Sequence, residues 1–284
     1  MKTIRNVMKI TKGKAAVDGA GVHLTRVIGY HDTKDYDPFL MLDAFDSTNP
    51  DDYTRGFPWH PHRGIETITY LIKGDIEHGD SLGNSGSILD GECQWMTAGS
   101  GIIHQEMPKA SPRMLGAQLW LNLPAKDKMT QPSYGDIKAD QVPLVDSDGI
   151  KVRVISGTYQ GRQGAFEGKY IKATYLDVEL PAGREWSIAT DPEHTVFIYL
   201  FSGALMAVSD LNVNQAQGLI DEKQAVLFGP GDLFQVKAAQ DTRFIFLTAP
   251  PLREPIAWGG PIVMNTREEL NLAFRELENN TFIK

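Results

Sequence analysis

Four residues in two short stretches have the types and spacing to hold a metal ion. The first stretch, Phe57-Pro-Trp-His60-Pro-His62-Arg-Gly-Ile-Glu66, carries two histidines one residue apart. The second, Gly99-Ser-Gly-Ile-Ile-His104-Gln-Glu106-Met-Pro108, carries a histidine and a glutamate at the same spacing. In a strand, residues i and i+2 project from one face, so each pair points the same way. If the two strands face one another, three imidazoles and one carboxylate converge. Three neutral nitrogens and one anionic oxygen suit a divalent first-row metal and leave two of six octahedral positions for substrate, water or oxygen. Fe(II), Mn, Ni, Cu and Zn all fit such a donor set. The chain has one cysteine, Cys93, so a closed thiolate zinc site is excluded, and Cys93 reads as a small buried hydrophobe.

The elements that must position these residues are strands. Thr67–Ile72, Ala117–Asn122, Lys151–Ile155, Val196–Phe201 and Arg243–Leu247 are rich in β-branched and aromatic residues. Turn signals separate them at Lys73-Gly-Asp75, Leu82-Gly-Asn84, Asp90-Gly91 and Gly229-Pro-Gly-Asp232. This texture predicts an all-β sandwich or barrel. Pro61 cannot donate to a ladder, which places the histidine pair at a sheet edge or bulge near a barrel mouth. One helix is predicted over Thr266–Asn279, with Leu270, Phe274 and Leu277 on one stripe and a Thr266/Glu269 capping box.

The two halves read as diverged copies of one unit. Glu66–Gly74 is similar to Thr195–Gly203, and Trp95–Ile103 is similar to Val226–Leu233, at nearly equal separations. At those separations His60 and His62 fall near Ala189 and Asp191, and His104 and Glu106 fall on Phe234 and Val236. One metal per chain is therefore expected, in the N-terminal half. The expected division is 1–135, an N-terminal domain with the metal site, and 136–284, a C-terminal domain without ligands that ends in a helical tail. Residues 124–147, lacking periodicity, read as the connection.

The 284 residues are 42% hydrophobic and 23% charged, the composition of a soluble globular protein. Twenty-eight Lys and Arg stand against 36 Asp and Glu, a net charge of −8, which disfavours direct nucleic-acid binding. No apolar run suits a signal peptide or a membrane span of about 18 residues. A cytoplasmic protein is expected, or a nuclear one in a eukaryote. Walker, Rossmann, Gly-x-Ser-x-Gly and Ser-x-x-Lys patterns are absent, which argues against a nucleotide enzyme or a nucleophilic hydrolase.

His60-Pro-His-Arg-Gly-Ile-Glu-Thr-Ile-Thr-Tyr70 resembles the first cupin motif as pirins carry it, and Gln94–Pro108 resembles a pirin signature. Pro38–Asp43, His78–Asn84, Gln118–Pro124 and Gly260–Asn265 extend the likeness over almost the whole chain. The resemblance implies a bicupin: two antiparallel β-barrels of the jelly-roll-like, double-stranded β-helix kind, with a C-terminal helix. It implies one metal, usually iron, held by His60, His62, His104 and Glu106. Some pirins are quercetin 2,3-dioxygenases, opening a flavonol ring with dioxygen and releasing carbon monoxide. Eukaryotic pirins are instead iron-dependent cofactors of transcription factors, a role that would act through a protein partner.

On the enzyme reading, the substrate is a small aromatic polyphenol or related enediol, and Glu106 is both ligand and base. Glu66 is expected to face inward, either supporting a ligand imidazole by hydrogen bonding or as a plain polar barrel position. Gln118 and Trp120 share a strand face as pocket wall or ordinary core. His78 reads as a turn residue or a support. Trp59 and Ala44 depart from common pirin residues, and Trp59 stands beside the first ligand. A monomer is expected.

Overall fold

The computed structural model describes residues 2–207 and 219–284 and divides into two compact units. The first comprises Lys14–Thr33, Pro38–Ala139 and Leu252–Lys284; the second comprises Met1–Gly13, Lys34–Asp37 and Asp140–Pro251.

The first unit holds two large antiparallel sheets and a two-stranded one, Ala257–Gly259 with Ile262–Met264. Its seven-stranded sheet runs, edge to edge, Ser133–Ile137, Cys93–Thr97, Ile65–Lys73, Met114–Asn122, Phe39–Ser47, Val22–Ile28 and Lys14–Asp18. Its four-stranded sheet runs Phe57–His62, Ile102–Pro108, Ile76–Asp80 and Ser85–Ile88. Val22, Leu24, Phe45 and Leu71 of the larger sheet pack with Ile76 and Ile88 of the smaller. The histidine-bearing strand is an edge strand, as Pro61 requires.

The second unit repeats this order. Its seven-stranded sheet runs Val7–Lys12, Gln224–Phe228, Thr195–Ser202, Thr242–Ala249, Thr174–Leu180, Ile150–Ser156 and Leu144–Ser147. Its four-stranded sheet runs Glu185–Ala189, Leu233–Ala238, Ala204–Ala207 and Ile220–Asp221. Strand for strand the topology matches, apart from the origin of one outer strand. Ser133–Ile137 fills that place in the first unit and the N-terminal Val7–Lys12 fills it in the second.

A single cut between 135 and 136 therefore does not separate the units: it falls inside a strand paired with Cys93–Thr97. The segment read as a connection contains two strands, one assigned to each unit. The helical tail, expected to end the second domain, belongs to the first unit. Leu270 and Ala273 of helix Arg267–Glu278 pack with Ala257, Ile262, Met264 and Phe282, and Ile103 of the site strand joins that cluster. The helix begins with the expected capping box: Glu269 N donates to Thr266 Oγ1 and Thr266 N donates to Glu269 Oε2. Phe274 stays 37% exposed, and Ala273 takes the buried position instead. No helix among the described residues is long and apolar enough to cross a membrane.

Candidate metal centre

Strand Ile102–Pro108 alternates in burial, so His104 and Glu106 both face inward with Ile102 and Pro108. It pairs on one side with Phe57–His62, His104 opposite His60, and on the other with Ile76–Asp80, Glu106 opposite His78. The register against Phe57–His62 slips between His104 and Glu106, a bulge at the point where the ligand strands meet.

His60, His62 and His104 converge. One ligand atom from each lies within 4.8 Å of the others, and no other such group of His, Cys, Asp or Glu occurs among the described residues. Their ring centroids are 4.3 to 5.0 Å apart. Backbone carbonyls orient two of the rings: His60 Nδ1 is 2.8 Å from Pro58 O and His62 Nδ1 is 3.0 Å from Pro261 O. A nitrogen facing a carbonyl must carry the proton, which leaves both Nε2 atoms as bare lone pairs. Those two atoms face one another at 3.0 Å, where lone pairs repel unless a cation lies between them. Two nitrogens bonded at ~2.1 Å and at right angles on one ion would stand about 3 Å apart. Both nitrogens of His104, fully buried, lack a hydrogen-bond partner among the described residues. The donor set fits a divalent metal.

The electrostatics agree. Burial holds His60 below the ordinary imidazole range. His62 is pushed down to about 3 by burial and then by the charge of His60. His104 is lowered by burial and then by His62, His60 and His78. All three are thus in the neutral form that binds metal. Burial pushes the Glu106 carboxyl up to about 7, against a hydrogen bond from Thr69 that favours its anion. Thr69 Oγ1 faces both Glu106 Oε1, at 3.0 Å, and Gln118 Oε1. A hydroxyl has one proton to give, so two acceptors at one oxygen fit a carboxyl that carries its own proton, or a turned amide. Glu106 lies outside the converging histidine group.

The remaining expected residues spread around this centre. Trp120 packs edge-on to His62 at 5.0 Å, and Gln118 reaches the site through Thr69. Glu66 is buried and accepts from Thr97 Oγ1 at 2.7 Å, while the imidazole nearest it in sequence is held by Pro261. Trp59 is 55% exposed and lies over Gly79. His78 is buried, with Asp80 Oδ2 3.5 Å from Nε2 and the Tyr134 ring stacked at 4.7 Å.

Sequence reasoning missed the clamp on the His62-Arg63-Gly64 turn. Arg63 Nε donates to Ser100 O at 2.7 Å, Nη1 to Glu276 Oε2 at 2.6 Å and Nη2 to Phe282 O at 2.9 Å. The Phe282 ring lies 4.2 Å from the guanidinium carbon. Lys128 Nζ bridges Gly64 O, Asn122 Oδ1 and Val263 O at 2.7 to 2.8 Å. Gly64 has φ +77°, and a Cβ there would meet Val263 O at 2.0 Å, so only glycine lets the tail approach. Gly260–Asn265 stood out in the sequence, but what it supplies is the carbonyls of Pro261 and Val263, which no side-chain type announces.

Two double-sheet units of one topology, one with three inward imidazoles, define a two-cupin protein with a candidate metal centre in its first unit. The pirin profile matches residues 21–121, and that of the pirin C-terminal cupin domain matches residues 175–283. A pirin-like protein of Caulobacter vibrioides is 43% identical over 282 residues, covering 98% of this chain and 99% of its own. Human pirin is 38% identical over 265 residues, covering 92% and 88%. The crystal structure of a quercetin 2,3-dioxygenase from Acinetobacter baumannii superposes with a TM-score of 0.88 at 30% identity, covering 99% of each chain. The chain belongs to the pirin family.

Proposed function

We propose that this pirin is a metal-dependent oxygenase of the quercetin 2,3-dioxygenase type, with Fe(II) as the working metal. Its substrate class is a flavonol or related aromatic enediol, with dioxygen as co-substrate. The observation that carries the reading is the meeting of three neutral imidazoles, two of them fully buried: the His60 and His62 Nε2 atoms face each other at 3.0 Å, and neither nitrogen of His104 has a hydrogen-bond partner among the described residues. The likeness to a solved quercetin 2,3-dioxygenase supports the choice of reaction.

His60, His62 and His104 would hold the ion, and Glu106 would complete the set once its proton is displaced. Bound there, the metal supplies a Lewis acid for a substrate oxygen and a route for electrons to dioxygen. The chain's own residues do the rest. The Pro58 and Pro261 carbonyls keep the His60 and His62 rings turned inward. Glu106, with its affinity for a proton raised by burial, takes the proton of the substrate hydroxyl at Oε1 or Oε2. Thr69, whose hydroxyl also faces Gln118, holds that carboxyl in place. Trp120 offers an apolar wall beside His62.

The test is oxygen uptake with quercetin by iron-reconstituted protein, beside His62→Ala treated in the same way. Uptake by the first and none by the second is expected. No uptake by wild type with iron confirmed bound would sink the enzyme reading.

A further inference from the structure

An unbroken file of oxidisable rings leads from the candidate metal centre to solvent. His62 touches Trp120 edge-on, with centroids 5.0 Å apart and planes at 82°. Trp120 touches Trp258 at 5.8 Å, and Trp258 touches Tyr30 at 5.7 Å. The residues come from three distant parts of the chain, yet all lie in the first unit. Exposure rises along the file: His62 is 2% exposed, Trp120 9%, Trp258 half-buried and Tyr30 59%. The His31 ring stands perpendicular to Tyr30 at 5.4 Å.

Packing alone accounts poorly for this choice of rings. The aromatic cluster of the second unit is closed, and every member is buried: Tyr159, Trp186, Phe228, Phe234, Phe244 and Phe246. Four of those six are phenylalanines, whose benzene rings give up an electron far less readily than indole or phenol. The file in the metal-site unit contains no phenylalanine and ends at a phenol in water, where loss of an electron can be coupled to loss of a proton. Ring contacts of this length suit stepwise electron hopping.

We propose that Tyr30, Trp258 and Trp120 form a one-electron conduit between the surface and His62, through which oxidising equivalents leave the site. The proposal rests on the iron reading of that site. With hydrogen peroxide as oxidant and no substrate present, peroxide takes two electrons and two protons and becomes two molecules of water. One electron comes from ferrous iron, which becomes ferric. The other comes along the conduit from Tyr30, whose O–H bond breaks and whose proton supplies one of the two; solvent supplies the second. Tyr30 is left as a neutral phenoxyl radical. The benefit is that damage falls on an exposed, re-reducible phenol and spares the ligand histidines.

The experiment uses full-length protein with iron content measured, treated with one equivalent of peroxide and freeze-quenched for EPR, then digested for peptide mass spectrometry. Wild type is expected to give a tyrosyl signal and oxidation mapped to Tyr30. Tyr30→Phe, at an exposed position, loses the signal. Trp258→Phe keeps a ring in the same place and should reduce Tyr30 oxidation to background, with oxidation appearing instead at Trp120 and His62. Unchanged Tyr30 oxidation in Trp258→Phe would show attack by a diffusing oxidant and overturn the conduit. Ferric iron formed in wild type without a tyrosyl signal or Tyr30 oxidation would overturn the conduit alone. Failure of wild type to take up iron would overturn it together with the metal reading.

Discussion

The same two-sheet frame occurs twice in this chain, and the space that holds His104 in one copy and Phe234 in the other is polar in the first and apolar in the second. In the first unit the space beside the small sheet holds His60, His62, His104, Glu106, Thr69 and Gln118. In the second, Val152, Leu176, Ile198, Phe234, Val236 and Phe246 close into one hydrophobic cluster. The register makes the match specific. His104 pairs with His60, and in the second unit Phe234 pairs with Ile188. The second interior contributes stability through burial. The first keeps buried nitrogens without partners, which costs stability until something binds them. A duplicated fold has thus divided labour, one copy packing and the other holding chemistry.

The sharpest way to break the contrast is to give the first unit the residue of the second. His104→Phe should abolish metal uptake outright, measured by elemental analysis after dialysis against iron. It should also raise the stability of the metal-free protein by ~1–3 kcal/mol, because an unpartnered buried imidazole is replaced by an apolar ring. Loading should stabilise wild type alone, by about 2.7 kcal/mol at a free-metal concentration a hundred times Kd, which offsets most or all of that deficit. A metal-free variant less stable than wild type in a denaturant titration would contradict the account of the site as a frustrated pocket.

Next in size is the clamp. Arg63→Ala removes a buried guanidinium and orphans the Ser100 and Phe282 carbonyls, for a loss of ~3 kcal/mol. Metal affinity should fall about 10–100-fold, since the turn that carries His62 loses its hold on the tail. A competition titration against a chelator reads the second effect separately from the first.

What was legible in the sequence divides along physical lines. The i, i+2 spacing announced the inward pairs, because strand geometry fixes which face each side chain takes. Pro61 announced an edge strand, and Thr266 with Glu269 announced a helix start, because both signals are local. The clamp was hidden: Pro261 acts through a backbone carbonyl 199 residues from His62. Lys128 was hidden too, inside a stretch that read as a connection, although its ammonium is buried among three acceptors. Residues 133–137 lacked the hydrophobic alternation of a core strand because they sit on a sheet edge. The ends of the chain were misassigned for the same reason, since their partners are set by tertiary pairing.

The reverse graft, Phe234→His, should fail to make a second site. Opposite it stands Ile188, and the strand Glu185–Ala189 carries no histidine. The expected result is unchanged metal stoichiometry and a loss of ~2 kcal/mol from placing an imidazole in an apolar cluster. A second bound ion per chain would show that the frame, not the particular ligand set, selects metal.

The smallest effect expected is a pH dependence of the clamp. Burial opposes ionisation of Glu276, but hydrogen bonds from Lys284 and Arg63 prevail and hold its carboxyl below the usual range. The unfolded chain, with the ordinary carboxylate pKa, then binds more protons than the folded chain as pH falls into the acid range. Stability from this group is therefore complete above the unfolded pKa, near 4.5, and is lost as pH drops through the lower folded value. The gap in stability between wild type and Glu276→Gln should be constant from neutrality to mild acid and should shrink below that. Denaturant midpoints measured at a series of pH values would show it. A gap that stays constant down to the strongest acid the fold tolerates would mean that helix packing through Leu270 and Ala273, and not the Arg63–Glu276 pair, holds the tail against the metal-site turn.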